Sequence, residues 1–77
     1  MRDLRKEDIM VNGDKLRGVL AEKRLSYGEL ALKLGIHRDT LTKRIRMDTL
    51  TVRDVDRICE LLEISDPIPI FFTQYLS

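Results

Sequence analysis

At 77 residues, with 43% hydrophobic and 35% charged residues, the chain has room for one domain and a modest core, and not for two. No apolar run approaches the roughly 20 residues a membrane span needs, and the N-terminus has charges on both sides of its few apolar residues, so neither a spanning segment nor a secretory signal is expected. A cytoplasmic location is the expectation, and the single Cys59, which has no internal disulfide partner, fits a reducing compartment.

The net charge of +1 is unevenly spread: residues 1–14 sum to −1, residues 15–46 to +6 and residues 47–77 to −4. A basic middle and an acidic end suggest one face for a polyanion and another turned away from it. Residues 1–12 read as an N-terminal extension and residues 13–77 as the folded domain. In the extension, Arg2, Arg5 and Lys6 suit an arm reaching for a polyanion, whereas Asp3, Glu7 and Asp8 oppose it.

Helical spacing dominates the rest. Asn12 or Asp14 can cap a first helix whose inward face is Leu16, Val19 and Leu20, with Leu25 closing the turn after Lys23 and Arg24. Ser26-Tyr27-Gly28-Glu29 is a capping-box pattern that opens a second helix, from Tyr27 to Leu34, which Gly35 ends. A third helix starts near His37 and turns Leu41 inward, with Ile45 beside it. Thr51-Val52-Arg53-Asp54 repeats the capping pattern and opens a fourth, in which Val55, Ile58, Cys59 and Leu62 recur at helical spacing. Asp66-Pro67-Ile68-Pro69 stops regular helix. The tail, residues 70–76, is either a last helical turn with Phe71 and Phe72 under the bundle, or an extended segment facing residues 8–11.

Residues 27–46, YGELALKLGIHRDTLTKRIR, form two short rods around a glycine turn. Ala31 is small where the rods cross, Gly35 makes the turn, and Ile36 and Leu41 fill the space beneath. The second rod, from His37 to about Met47, is about 15 Å long, which fits a B-DNA major groove about 12 Å wide. The order Leu30-Ala31-x-x-Leu34-Gly35-Ile36, then four residues and Leu41, resembles the helix-turn-helix of lambda-repressor-like (Cro/repressor, XRE-type) proteins over residues 14–64. More narrowly, Asp14-Lys15-Leu16-Arg17-Gly18, Thr40-Leu41, Ile58-Cys59-Glu60-Leu61-Leu62 and Phe71-Phe72 are similar to short phage and prophage repressor-like proteins. The chain departs from that pattern at Arg44, where an apolar residue is usual, and at Arg46-Met47-Asp48, where Asn-Gly is common.

The resemblance implies an all-α bundle of four to five helices and a double-stranded DNA operator as partner. It places base contacts on the first turns of the third helix, at His37, Arg38, Asp39, Thr40, Thr42 and Lys43. The chemistry agrees: Arg38 can donate twice to guanine, Asp39 can accept from cytosine or orient Arg38, and threonine methyls can touch a thymine methyl. Phosphate contacts fall on Ser26 and Tyr27 at the start of the second helix, with Lys15, Arg17, Lys33 and Arg46 as further cations. Each has a plainer alternative. His37 can cap its helix, Tyr27 can pack on Leu30 or Ala31, Arg44 can be a solvated side chain, and Cys59 reads as core filler.

One His and one Cys do not make a metal site, no cofactor is expected, and no nucleophile–base set or phosphate-cradling glycine loop points to an enzyme. The expected function is a sequence-specific transcriptional regulator, working as a homodimer through the fourth helix and the tail. A protein-interaction module on the same fold, such as an antirepressor, is the alternative.

Overall fold

The computed structural model describes residues 4–75; Arg2, Asp3 and Leu76 of the two terminal segments lie outside the described residues. Five α-helices follow one another: α1 (Gly13–Glu22), α2 (Tyr27–Leu34), α3 (Arg38–Arg46), α4 (Val52–Leu62) and the single turn α5 (Ile68–Phe71). Short 3-10 turns at Lys6–Asp8 and Thr73–Tyr75 flank them. Among the described residues there is no strand, only one isolated parallel bridge between Met10 and Phe72. No described helix is long and apolar enough to cross a membrane.

The helices start where side chains satisfy the first free N–H groups. Asn12 accepts from the Lys15 N–H (3.1 Å), which decides between the two candidate caps of α1. Ser26 and Glu29 form a reciprocal box at α2, and Thr51 and Asp54 do the same at α4, with both bonds at 3.0 Å in the latter. At α3 the cap is an imidazole: the Asp39 N–H donates to His37 Nδ1 (3.1 Å).

α1 to α4 end alike. A left-handed residue reverses the chain, and the next N–H reaches back to a carbonyl five residues earlier: Leu25 to Leu20, Ile36 to Ala31, Thr49 to Arg44 and Ile64 to Cys59. Gly35 occupies the left-handed position after α2 without a Cβ penalty (φ 76°), but Arg24, Asp48 and Glu63 do so as ordinary residues, at φ 57°, 54° and 56°.

The inward faces meet as the spacing predicts. Leu16 and Leu20, then Leu30, Ala31 and Leu34, then Leu41, then Val55, Ile58 and Leu62 are all buried. Val19, Ile45 and Cys59 pack half-buried against them. No polar or charged residue is buried among the described residues, so the core is held by apolar burial alone, at roughly 1.5–3 kcal/mol for each large side chain. Leu50 and Ile9, which belong to no helical period, are also buried.

The tail does both things that its sequence allows. Phe71 and Phe72 are fully inside the core, and the same backbone pairs with the N-terminal segment. The Met10 N–H donates to the Phe71 carbonyl (2.8 Å), and the Asn12 N–H to that of Ile70 (2.7 Å). A helix of one turn cannot satisfy its own carbonyls, so the neighbouring segment does. Further out, the Tyr75 hydroxyl donates to Asp8 Oδ1 (2.7 Å), and Gln74 Nε2 to the Asp8 carbonyl (3.1 Å). The Val11 N–H donates to Asp48 Oδ1 (2.9 Å), which ties this segment to the turn after α3.

Two predictions follow from these termini. Arg24→Gly removes the left-handed penalty at an exposed site and is expected to stabilise the chain by about 0.5–1 kcal/mol, after the extra flexibility of the unfolded glycine is deducted. A raised urea midpoint with unchanged m-value checks it, and a lowered midpoint contradicts it. The hydrogen bond from Tyr75 is the largest cause holding the Asp8 carboxyl below its ordinary value of 3.8. The folded chain thus binds fewer protons there than the unfolded one, so this contribution is present above pH 3.8 and fades as pH falls through the lower folded value. Tyr75→Phe is expected to flatten that acid loss of stability, as followed by thermal unfolding between neutral pH and the acid limb.

Candidate nucleic-acid interface

α2 and α3 are joined by three residues, Gly35, Ile36 and His37. Ala31 of α2 and Leu41 of α3, each essentially inaccessible, both belong to the buried core. With Leu41 fixed inward, helical geometry sends Asp39, Lys43 and Arg46 outward and leaves Arg38 and Thr42 on one flank and Thr40 and Arg44 on the other. The exposures agree: His37, Arg38, Asp39, Lys43 and Arg46 are exposed, while Thr40 and Thr42 are half-buried. Thr42 also donates its hydroxyl back to the Asp39 carbonyl (3.2 Å).

The flank of α3 that carries Arg38 and Thr42 adjoins the start of α2. The Arg38 stem lies beside Gly28, and Gly13, Arg17, Tyr27, Thr42, Ile45 and Arg46 line a concavity of about 340 Å³. Ile45 and the Tyr27 ring supply apolar wall, and the two arginines supply charge at its edge. Arg17 is already paired with Asp14, whereas Arg46 and Lys43 have no ion partner among the described residues. Burial pushes the Tyr27 phenol above its usual value, so at neutral pH it keeps its proton and offers a donor.

The structure therefore gathers Ser26, Tyr27, Arg17 and Arg46 around one flank of α3. Lys15 and Lys33 are exposed but stand apart. Lys15 is two residues from Arg17, on the opposite side of α1, and Lys33 is at the far end of α2. The side chains of Arg38 and Asp39 lie together, with Nε 3.8 Å from Oδ1, and both are largely exposed.

Several roles were open in the sequence and are decided by packing. Arg44 pairs with Asp54 of the α4 cap (3.7 Å), so it bridges α3 to α4 while Ile45 packs on the core. Asp48 takes the left-handed position after α3 and receives the Val11 N–H. Arg57 carries no signal in the sequence, yet it caps the end of α2: Nη1 donates to the Leu34 carbonyl (3.3 Å) and Nη2 to that of Lys33 (3.5 Å). A cation suits that negative helix end. Cys59 is half-buried and its thiol is pushed up to about 11, mainly by desolvation, which leaves it protonated and unreactive at neutral pH.

A capped two-helix unit with an exposed, cation-bearing second helix is what a groove-reading domain needs. Comparison with known proteins agrees. The sequence model of the Cro/C1-type HTH DNA-binding domain matches residues 15–67, from the first turn of α1 through α4 to the residue before α5. No curated protein and no solved structure matches the chain. The matched span is well over half of the sequence, and the chain belongs to the Cro/C1-type helix-turn-helix DNA-binding domain family.

Proposed function

We propose that this DNA-binding regulator reads a specific double-stranded operator through α3 and acts as a repressor or Cro-like switch of phage or prophage origin, in the cytoplasm and without a cofactor. The observation that carries the reading is the outward face of α3. His37, Arg38, Asp39 and Lys43 are exposed and have no part in the core, and Arg38 stands beside the start of α2. In this reading Arg38 donates to guanine, with Asp39, Thr40, Thr42 and Lys43 on neighbouring bases and His37 offering the nitrogen its cap leaves free. Ser26, Tyr27, Arg17 and Arg46 fix the register on phosphates. Residues 13–77 supply the DNA-binding unit and residues 1–12 its extension.

One short helix reads only a few base pairs, so the reading includes a homodimer on half-sites about 34 Å apart. Phe71 and Phe72 are buried inside the single chain and are not open to a partner, which leaves α4, with Leu61 39% exposed, as the surface for a second copy. The same burial removes one of the two supports of the interaction-module alternative, the aromatic C-terminus, and leaves the other, a near-neutral net charge of +1.

Selection from a random duplex pool at two salt concentrations tests the proposal. A two-fold symmetric motif is expected, with affinity falling steeply with salt. Against that motif, Arg38→Ala is expected to lose about 1–3 kcal/mol at one base pair and relax the preference there. Arg46→Ala is expected to weaken all sequences about equally and to lower the salt slope by about 1. Recovery of no motif, with weak salt-sensitive retention only, would contradict sequence reading.

A further inference from the structure

Gly28 is the second residue of α2, and glycine loses more backbone freedom on entering a helix than any other residue. Its backbone does not call for it, because the only positive-φ glycine is Gly35. Packing does not call for it either. A Cβ built on Gly28 would meet Ser26 Oγ at 3.6 Å and Arg38 Cδ and Cγ at 3.7 and 4.0 Å, all ordinary contacts. The missing side chain instead leaves a strip at the start of α2 along which the Arg38 stem lies. Arg38 is the first residue of α3, two-thirds exposed, and its Nε is 3.8 Å from Asp39 Oδ1. An arginine is rich in rotamers, and fork-like recognition of one base edge requires a fixed guanidinium plane. Here the start of α2 lies alongside the stem and Asp39 lies alongside the head.

We infer that Gly28 is a positioning residue for base recognition: by keeping the space next to the Arg38 stem open, it lets the guanidinium hold its direction and so sets the preference at one base pair. The inference rests on the reading of Arg38 as a base reader. A side chain longer than a methyl group at position 28 takes the space of the stem and turns Arg38 away. A lone Cβ does not, since its contacts are of normal length.

The test profiles the full chain, Gly28→Ala, Gly28→Leu, Gly28→Gln and Arg38→Ala on duplexes that differ from the selected operator at single base pairs. Gly28→Ala is expected to raise Tm, as a better helix former, and to keep the wild-type preference. Gly28→Leu and Gly28→Gln are expected to lower the preference at the Arg38-dependent base pair by about tenfold and leave the other positions unchanged. Combined with Arg38→Ala, neither should lower it further. A merely structural role predicts equal loss on all duplexes, or a Tm change alone, and either result overturns the inference. Survival of the Arg38-dependent preference in both long-chain variants overturns the inference while leaving Arg38 as a base reader. A wild-type preference indifferent to Arg38→Ala overturns that reading, and the inference with it. Nuclear Overhauser contacts between the Gly28 Hα and the Arg38 Hγ and Hδ in the DNA-free protein give a readout independent of binding; their absence also overturns the inference.

Discussion

Between Leu34 and Arg38 the chain must end one helix, reverse, and cap the next, and it has Gly35, Ile36 and His37 to do so. Gly35 adopts φ 76°, a conformation that costs an L-residue roughly 1–2 kcal/mol. The Ile36 N–H then returns to the Ala31 carbonyl, and the imidazole of His37 takes the Asp39 N–H. The side chain of Ile36 packs against the core and anchors the reversal. Everything at the interface depends on this turn. It fixes the rotation of α3 with Leu41 inward, and that rotation decides which of the nine residues of α3 face outward.

The remaining contacts hold α3 at its two ends. Arg57 of α4 caps the carbonyl end of α2 just before the turn. Arg44 pairs with the capping aspartate of α4. Asp48, immediately beyond α3, receives the Val11 N–H, and the segment around Val11 is itself bound to the tail through Met10, Phe71 and Thr73. The segments around Val11 and Phe71 thus brace the far end of α3. In a domain of this size the apolar core is small, and such polar ties fix geometry more than they add stability. In the acidic last third, Asp54 and Glu63 face cations of the basic middle, Arg44 and Lys23, Asp48 and Asp66 accept backbone N–H groups, and Asp56 and Glu60 are exposed.

The helices were legible because their starts are written locally. Ser26-x-x-Glu29 and Thr51-x-x-Asp54 form the reciprocal bonds their spacing implies, and α2 runs from Tyr27 to Leu34 as read. Leu50 and Ile9 were not legible, since a lone apolar residue in a non-helical segment has no period to reveal its burial. The left-handed Arg24, Asp48 and Glu63 were hidden for a related reason: the signal for such a position is glycine, and these residues lack it. At the interface, the outward face of α3 followed from Leu41 alone. Lys15 and Lys33 show the limit of charge counting, because which side of α1 or which end of α2 meets the concavity is set by packing between helices. Gly28 had a signal, a poor helix former inside a helix, whose meaning appears only when the Arg38 stem is seen beside it.

The central claim is that the start of α2 and the outward face of α3 together form the DNA-contacting surface. Backbone amide shifts followed by NMR during titration with the selected operator duplex test it most directly. The largest changes are expected at residues 26–29 and 37–43, with smaller ones at Arg17 and Arg46 and little along the solvent face of α4. Changes centred on α4 or on the tail, with residues 37–43 unmoved, would contradict it.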